Sequence, residues 1–119
     1  MGMFTVDVGV GRPGGGPVAH VQALVDTSSV HSMFPMSLMS RLNVRPAERR
    51  PYSLADGSEV EYLYGIADIE VSGRTIPCPA IFGAEDQFLL GATTLECFDL
   101  MVDPTGAELV PRKIYTGPI

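Results

Sequence analysis

The apolar run Ala23-Leu24-Val25 delivers a single acidic residue, Asp26, and the small hydroxyl residues Thr27, Ser28 and Ser29 follow at once. A carboxylate at the end of a buried strand is costly, because removal from water disfavours its charged form. A sequence that keeps one there needs it, either for chemistry or for a turn. The chemistry on offer is acid–base work on water, provided that a second carboxylate stands beside the first. Two such groups about 3 Å apart cannot both ionise and share one proton, so one can take a proton from water while the other polarises a carbonyl. The 119 residues hold no second copy of the run. A partner for Asp26 would therefore come from a second identical chain. The bland reading is that Asp26 caps backbone N–H groups of the 27–29 turn, as aspartate often does.

Other chemical patterns are weaker. His31 lies near Ser29 and Ser32, but there is no G-x-S-x-G elbow and sequence neighbours rarely form a triad; a partly buried histidine is expected. Gly9-Val10-Gly11-Arg12-Pro13-Gly14 matches the dinucleotide pattern G-x-G-x-x-G. That pattern works only where a helix begins within it and aims its N-terminus at a pyrophosphate. Here Gly15, Gly16 and Pro17 follow and then a β-type run, so a hairpin loop is expected. Cys78, Cys97, His20 and His31 are scattered without the close pairing of a zinc site. The two cysteines sit beside apolar residues and read as buried free thiols. No metal and no cofactor is expected.

The formal net charge of −6 argues against a nucleic-acid partner, which needs clustered Lys and Arg. Arg45, Arg49 and Arg50 are the one basic cluster and read as a solvated edge. No apolar run approaches the ~18–20 residues of a membrane helix and no secretory signal is visible. A cytoplasmic location without a membrane partner is the expectation.

The length fits one domain over 1–119 with a modest core. Thirteen glycines and ten prolines punctuate short runs rich in Val, Ile, Tyr, Phe and Thr, which points to an all-β fold with few, short helices. Strands are expected over 3–10 and 18–25, joined by the flexible tip 11–17. A short strand over 30–34 precedes a helix opened by Pro35, with Met36, Met39 and Leu42 facing inward and Asn43 as a left-handed stop. Runs over 50–54 and 59–64 flank Ala55-Asp56-Gly57-Ser58, a strong hairpin signal, and Gly65 suits a bulge or bend. Runs over 66–71 and 74–82 flank Ser72-Gly73, and Pro77 and Pro79 mark the second as an edge or interrupted strand. Phe88-Leu89-Leu90-Gly91 reads as a buried strand. Thr93 and Glu96 then have the form of a capping box on a one- or two-turn helix. Runs over 100–102 and 108–110 pair across Asp103-Pro104-Thr105-Gly106. The tail 111–119, with Ile114, Tyr115 and Ile119, is expected to pack, at a subunit interface.

Strand, Asp-Thr-small-small, short helix, glycine-tipped hairpin, two strands, apolar-apolar-Gly, short helix: in this order the chain resembles the retropepsin-like aspartic proteases of clan AA, and their small bacterial single-lobe members in particular, over roughly 18–110. The resemblance implies a closed acid-protease-like β-barrel lobe with one or two short helices and a hairpin flap over about 50–64. It implies a homodimeric aspartic endopeptidase that cleaves extended peptides or unfolded proteins, with Asp26 from each of two subunits as the catalytic pair. Thr27 would hydrogen-bond across the dimer axis and Ser29 would adjoin the substrate backbone. Ala55, Asp56, Gly57 and Ser58 would form the flap tip. Leu24, Gln87 and Leu89 would line side-chain pockets. Gly91 would let the following helix pack beneath the active-site loop.

Two features depart from the family pattern. Ser28 stands where the motif has glycine, which adds a Cβ and a hydroxyl beside the substrate path and would strain a position that needs φ > 0. Val30 and Ala92 stand where the retroviral enzymes carry an acidic residue and an arginine, so the dimer is expected to be held differently. Asp56 also adds charge to a flap that is mostly glycine in those enzymes. Two further readings stay open: a retropepsin-fold module that binds peptide or scaffolds a partner without catalysis, and an unrelated small β-barrel interaction domain.

Overall fold

Alternating apolar runs become strands, and the glycine- and proline-rich breaks become turns. The computed structural model describes residues 3–117. Among them are β1 (Thr5–Gly11), β2 (Val18–Val25), β3 (Ser32–Pro35), α1 (Met36–Arg41), β4 (Pro46–Ser53), β5 (Glu59–Val71), β6 (Arg74–Gly83), β7 (Leu89–Leu90), α2 (Ala92–Cys97), β8 (Leu100–Asp103) and β9 (Glu108–Pro111). The strands run β1-β2-β7-β3-β6-β5-β4, and a second pairing of β1 with β5 closes the first six into a ring. The expected closed all-β lobe is therefore present.

β5 explains how one sheet makes both a barrel and a flap. It is 13 residues long. Its first half pairs with β4 across the Asp56-Gly57 turn, and its second half meets β1 at Gly9↔Glu70 and Gly11↔Asp68. In that second half Ala67, Ile69 and Val71 are buried while Ile66 is exposed, the period-two pattern of a strand with one face on a core. Val8, Val10, Ala23, Val25, Phe34, Met39, Leu90, Leu95 and Phe98 complete the interior. Gly9 of the G-x-G-x-x-G decoy serves this closure. A Cβ on Gly9 would lie 2.8 Å from the Glu70 carboxylate and 2.9 Å from the Val18 side chain. No helix begins in that loop.

Several local expectations are corrected by tertiary contacts. Pro35 closes β3 instead of opening α1, and β3 begins at Ser32 rather than at 30. Met36 is exposed, while Leu38 joins Met39 and Leu42 in facing the core. Asn43 does take the left-handed conformation, at φ 61°. The irregularity expected at Gly65 lies opposite it, between Pro46 and Glu48, and β5 runs straight through. β6 is continuous. Pro77 and Pro79 fall two residues apart, so their missing N–H groups share one side of the strand, and β3 joins β6 only from Ala80 onward. Pro111 pairs with Leu100 at the end of β9 and Arg112 N–H donates to the Asp99 carbonyl at 2.7 Å, while residues 112–117 are exposed in the single chain; Ile119 lies outside the described residues.

Phe34 is fully buried and Ile66 is 39% exposed. Phe34→Ala should lower unfolding stability by about 3–5 kcal/mol and Ile66→Ala by under about 0.5 kcal/mol, both read from urea midpoints at constant m-value.

Candidate active site

β2 carries its last buried residue, Val25, to the barrel rim, and the backbone then leaves the sheet under restraint from both sides. Val25 N–H donates to the Phe4 carbonyl at 2.9 Å, and Asp26 N–H donates to the Leu90 carbonyl at 3.0 Å. The Asp26 side chain is half-buried at the rim. The chain bends there, with Ser29 N–H donating back to the Asp26 carbonyl at 3.2 Å. Ser28 folds over the carboxylate: its N–H and its hydroxyl both donate to Asp26 Oδ1, at 3.0 and 2.5 Å. Ser28 does not have positive φ, so the expected strain of a side chain at this position does not arise. Thr27 is exposed, and among the described residues its hydroxyl meets no hydrogen-bond partner. Ser29 Oγ donates to the His31 carbonyl at 2.8 Å.

The loop is held from below by α2. Gly91 lies against it so closely that a Cβ would come within 2.5 Å of the His31 carbonyl carbon and 2.8 Å of the Ser29 oxygen. This approach lets Ala92 N–H donate to the Ser29 carbonyl at 2.8 Å and Thr93 N–H to the Val30 carbonyl at 2.9 Å. The helix N-terminus is thereby satisfied by the loop. The capping box expected from Thr93 and Glu96 is absent; Gly91 is the N-cap and no side chain caps it. Ser32 and Thr94, both fully buried, share a hydrogen bond of 2.6 Å, and Ser32 Oγ also accepts from Gly91 N–H at 3.0 Å. Sequence reasoning missed this lock, because two hydroxyl residues 62 positions apart carry no local signal.

A cavity of about 240 Å³ opens beside the carboxylate, lined by Met3, Phe4, Val25, Asp26, Thr27, Ser28 and Val102. Leu24 and Leu89 are register partners on adjacent strands, and Gln87 stands in the turn before β7; none of the three lines this cavity. Ala55, Asp56, Gly57 and Ser58 form an exposed turn at the end of the β4–β5 hairpin, with Gly57 at φ 87°. Asp56 Oδ1 accepts from Ser58 N–H and Oγ, and these bonds hold its carboxyl below the usual range. Asp103 and Thr105 repeat the motif with the same sign of shift. Asp26 thus shares its turn geometry with two ordinary turn aspartates. What sets it apart is place: it stands at the barrel rim and lines a cavity with Phe4, Val25 and Val102.

One side chain of this loop reaches the flap hairpin. His31 Nδ1 and the Tyr52 hydroxyl share a hydrogen bond of 3.1 Å, and the His31 ring lies 5.3 Å from that of Tyr64. Arg50 stacks over Tyr64 at 3.8 Å and is tied to Glu48 at 2.7 Å. Burial, and then the nearby Arg50 charge, push the His31 pKa below its ordinary 6.5. Burial pushes the Cys78 thiol up to about 12, beside Cys97, so it stays protonated and unreactive. No group of three His, Cys, Asp or Glu among the described residues converges as a metal site. None of the described helices is long and apolar enough to cross a membrane.

A family model described as aspartyl protease matches residues 6–94. None of the curated proteins matches the chain. Among solved structures, the EIAV protease complexed with the inhibitor HBY-793 is similar in fold, with a TM-score of 0.61 at 20% sequence identity over 89% of this chain and 90% of that one.

Two outcomes follow from the geometry. Gly91→Ala should cost about 3 kcal/mol by urea unfolding, since its Cβ would meet backbone that cannot move aside. The lowered His31 pKa means that the unfolded chain binds the extra proton first. His31 therefore contributes stability above pH 6.5 that is lost as pH falls from 6.5 through the folded-state value. His31→Gln should flatten that part of the stability–pH curve.

Proposed function

Because the chain belongs to the aspartyl protease family, we propose that it is a homodimeric aspartic endopeptidase acting on extended peptides or unfolded proteins, with Asp26 of each subunit at a shared site. The observation that carries this reading is the placement of Asp26. It stands half-buried beside an apolar cavity, on a loop whose backbone is pinned to β7 and α2. A single chain supplies one such carboxylate, so two copies are needed to make the pair.

In the mechanism, one carboxylate of the pair takes a proton from a bound water while the other, protonated, donates to the scissile carbonyl oxygen. The water oxygen attacks the carbonyl carbon to give a tetrahedral diol. Return of the proton to the amide nitrogen, while the second carboxylate takes back a proton from a diol hydroxyl, breaks the C–N bond, leaves an amine and a carboxylic acid, and restores the shared proton. The unpartnered hydroxyl of exposed Thr27 braces the two loops against each other across the axis. The Ala55–Ser58 turn closes over the extended substrate. Leu24, Gln87 and Leu89 shape the side-chain pockets, and Gly91 supports the loop.

A second reading is favoured by one observation. The Ser28 hydroxyl donates to Asp26 Oδ1, so the loop is already satisfied as a turn and one carboxylate oxygen is occupied. A module of this kind would bind peptide without cutting it. Reduced, unfolded casein, incubated between about pH 3 and 7 where carboxylate pairs work, separates the two. Cleavage by the native chain that falls at least about a thousandfold in Asp26→Asn supports the peptidase. Binding without cleavage at every pH, or cleavage that survives the substitution, overturns it.

A further inference from the structure

Among the described residues, one hydrogen bond joins the 26–31 loop to the β4–β5 hairpin, and it is the His31–Tyr52 pair. Both ends are anchored. The His31 carbonyl accepts from Ser29 Oγ and lies against Gly91, so its backbone is set by the same contacts that set Asp26. Tyr52 lies in β4, in register with Val60, close to the turn that ends the hairpin. Its ring also meets Tyr62 at 5.9 Å, and the His31 ring is flanked by Tyr64 under Arg50. The groups facing His31 are thus Tyr52, Tyr64 and Arg50, with Glu48 beyond Arg50. The hairpin beyond Tyr52 is otherwise held by its own ladder alone: residues 53–59 are exposed. A two-stranded ribbon of that kind is marginal by itself in water.

We infer that His31 and Tyr52 act as a clasp that positions the flap relative to the Asp26 loop. His31 is a positioning residue in this role and touches no reacting atom. The clasp ties the hairpin to the loop just short of its turn and leaves the Ala55–Ser58 tip beyond it free to move. Its meaning for peptide capture rests on the proposed peptidase reading; its existence as a mechanical link does not.

Amide hydrogen exchange on the full chain, compared for the native protein, Tyr52→Phe, His31→Gln and the double variant, tests the clasp directly. Each single variant is expected to speed exchange over 52–60 about fivefold, the loss of one ordinary hydrogen bond, while Val8, Val10, Val21 and Ala23 in β1 and β2 keep native rates. Tyr52→Phe retains the ring and every packing contact, so it reports the bond even where His31→Gln disturbs the loop. If the two residues act through one bond, the double variant exchanges no faster than the faster single. Unchanged exchange over 52–60, acceleration spread equally over β1 and β2, or fully additive effects overturn the proposal. On unfolded casein the same variants should raise KM about fivefold with kcat within twofold of native; a fall in kcat at unchanged KM also overturns it. Failure of the native chain to cleave casein would sink the peptidase reading, and the exchange data would still decide the clasp.

Discussion

The close approach of Gly91 to the Ser29–His31 backbone is the constraint on which the rest of the site depends. With no Cβ in the way, α2 comes near enough for Ala92 and Thr93 to donate to the Ser29 and Val30 carbonyls. These bonds satisfy two helix N-terminal donors and two loop acceptors at once. Neither set would be paired if the two segments stood apart, and unpaired buried backbone groups are expensive. The Ser32–Thr94 hydroxyl pair closes the same seam without a charge, in a position where a carboxylate would need its own partner. The rigidity of the Asp26 loop thus comes from backbone pairing across the seam, and the Ser28 and Ser29 hydroxyls add bonds within the loop.

The flap shares its material with the barrel. β5 serves as a flap strand at one end and a barrel stave at the other, so the hairpin is aimed by the twist and closure of the ring. The two ends differ in what holds them. The stave end buries Ala67, Ile69 and Val71, whereas the flap end relies on its ladder and on aromatic contacts around His31 and Tyr64. Asp56 places a carboxylate at the tip, and the Ser58 bonds keep it ionised further into acid than an ordinary aspartate. In a chain of net charge −6 the tip is therefore one more negative feature of the surface.

Much of the fold was legible because its signals are local. Asp56-Gly57 and Ser72-Gly73 mark tight turns through their tolerance of positive φ, seen at Gly57, Ser72 and Gly73. The 18–25 strand lies where its apolar pattern put it. Errors gathered where a distant segment overrode a local preference. Thr93 and Glu96 form a capping pattern, but the loop carbonyls reached the helix first. Met36 fits an inward helical spacing, but Leu38 took the core-facing position.

The sequence by itself determined the alternation that makes strands, the turns that join them, and the local form of the Asp-Thr-Ser-Ser loop and of the Leu-Leu-Gly run before a helix. Those features depend on neighbours within a few residues, and a linear reading captures them. Tertiary structure alone decided which side chains meet across the fold: Ser32 with Thr94, and His31 with Tyr52. It also decided that Ser28 sits without strain, its hydroxyl turned onto Asp26. Such meetings arise from the closure of the ring, which brings residues tens of positions apart within hydrogen-bond reach, and no local periodicity records that distance.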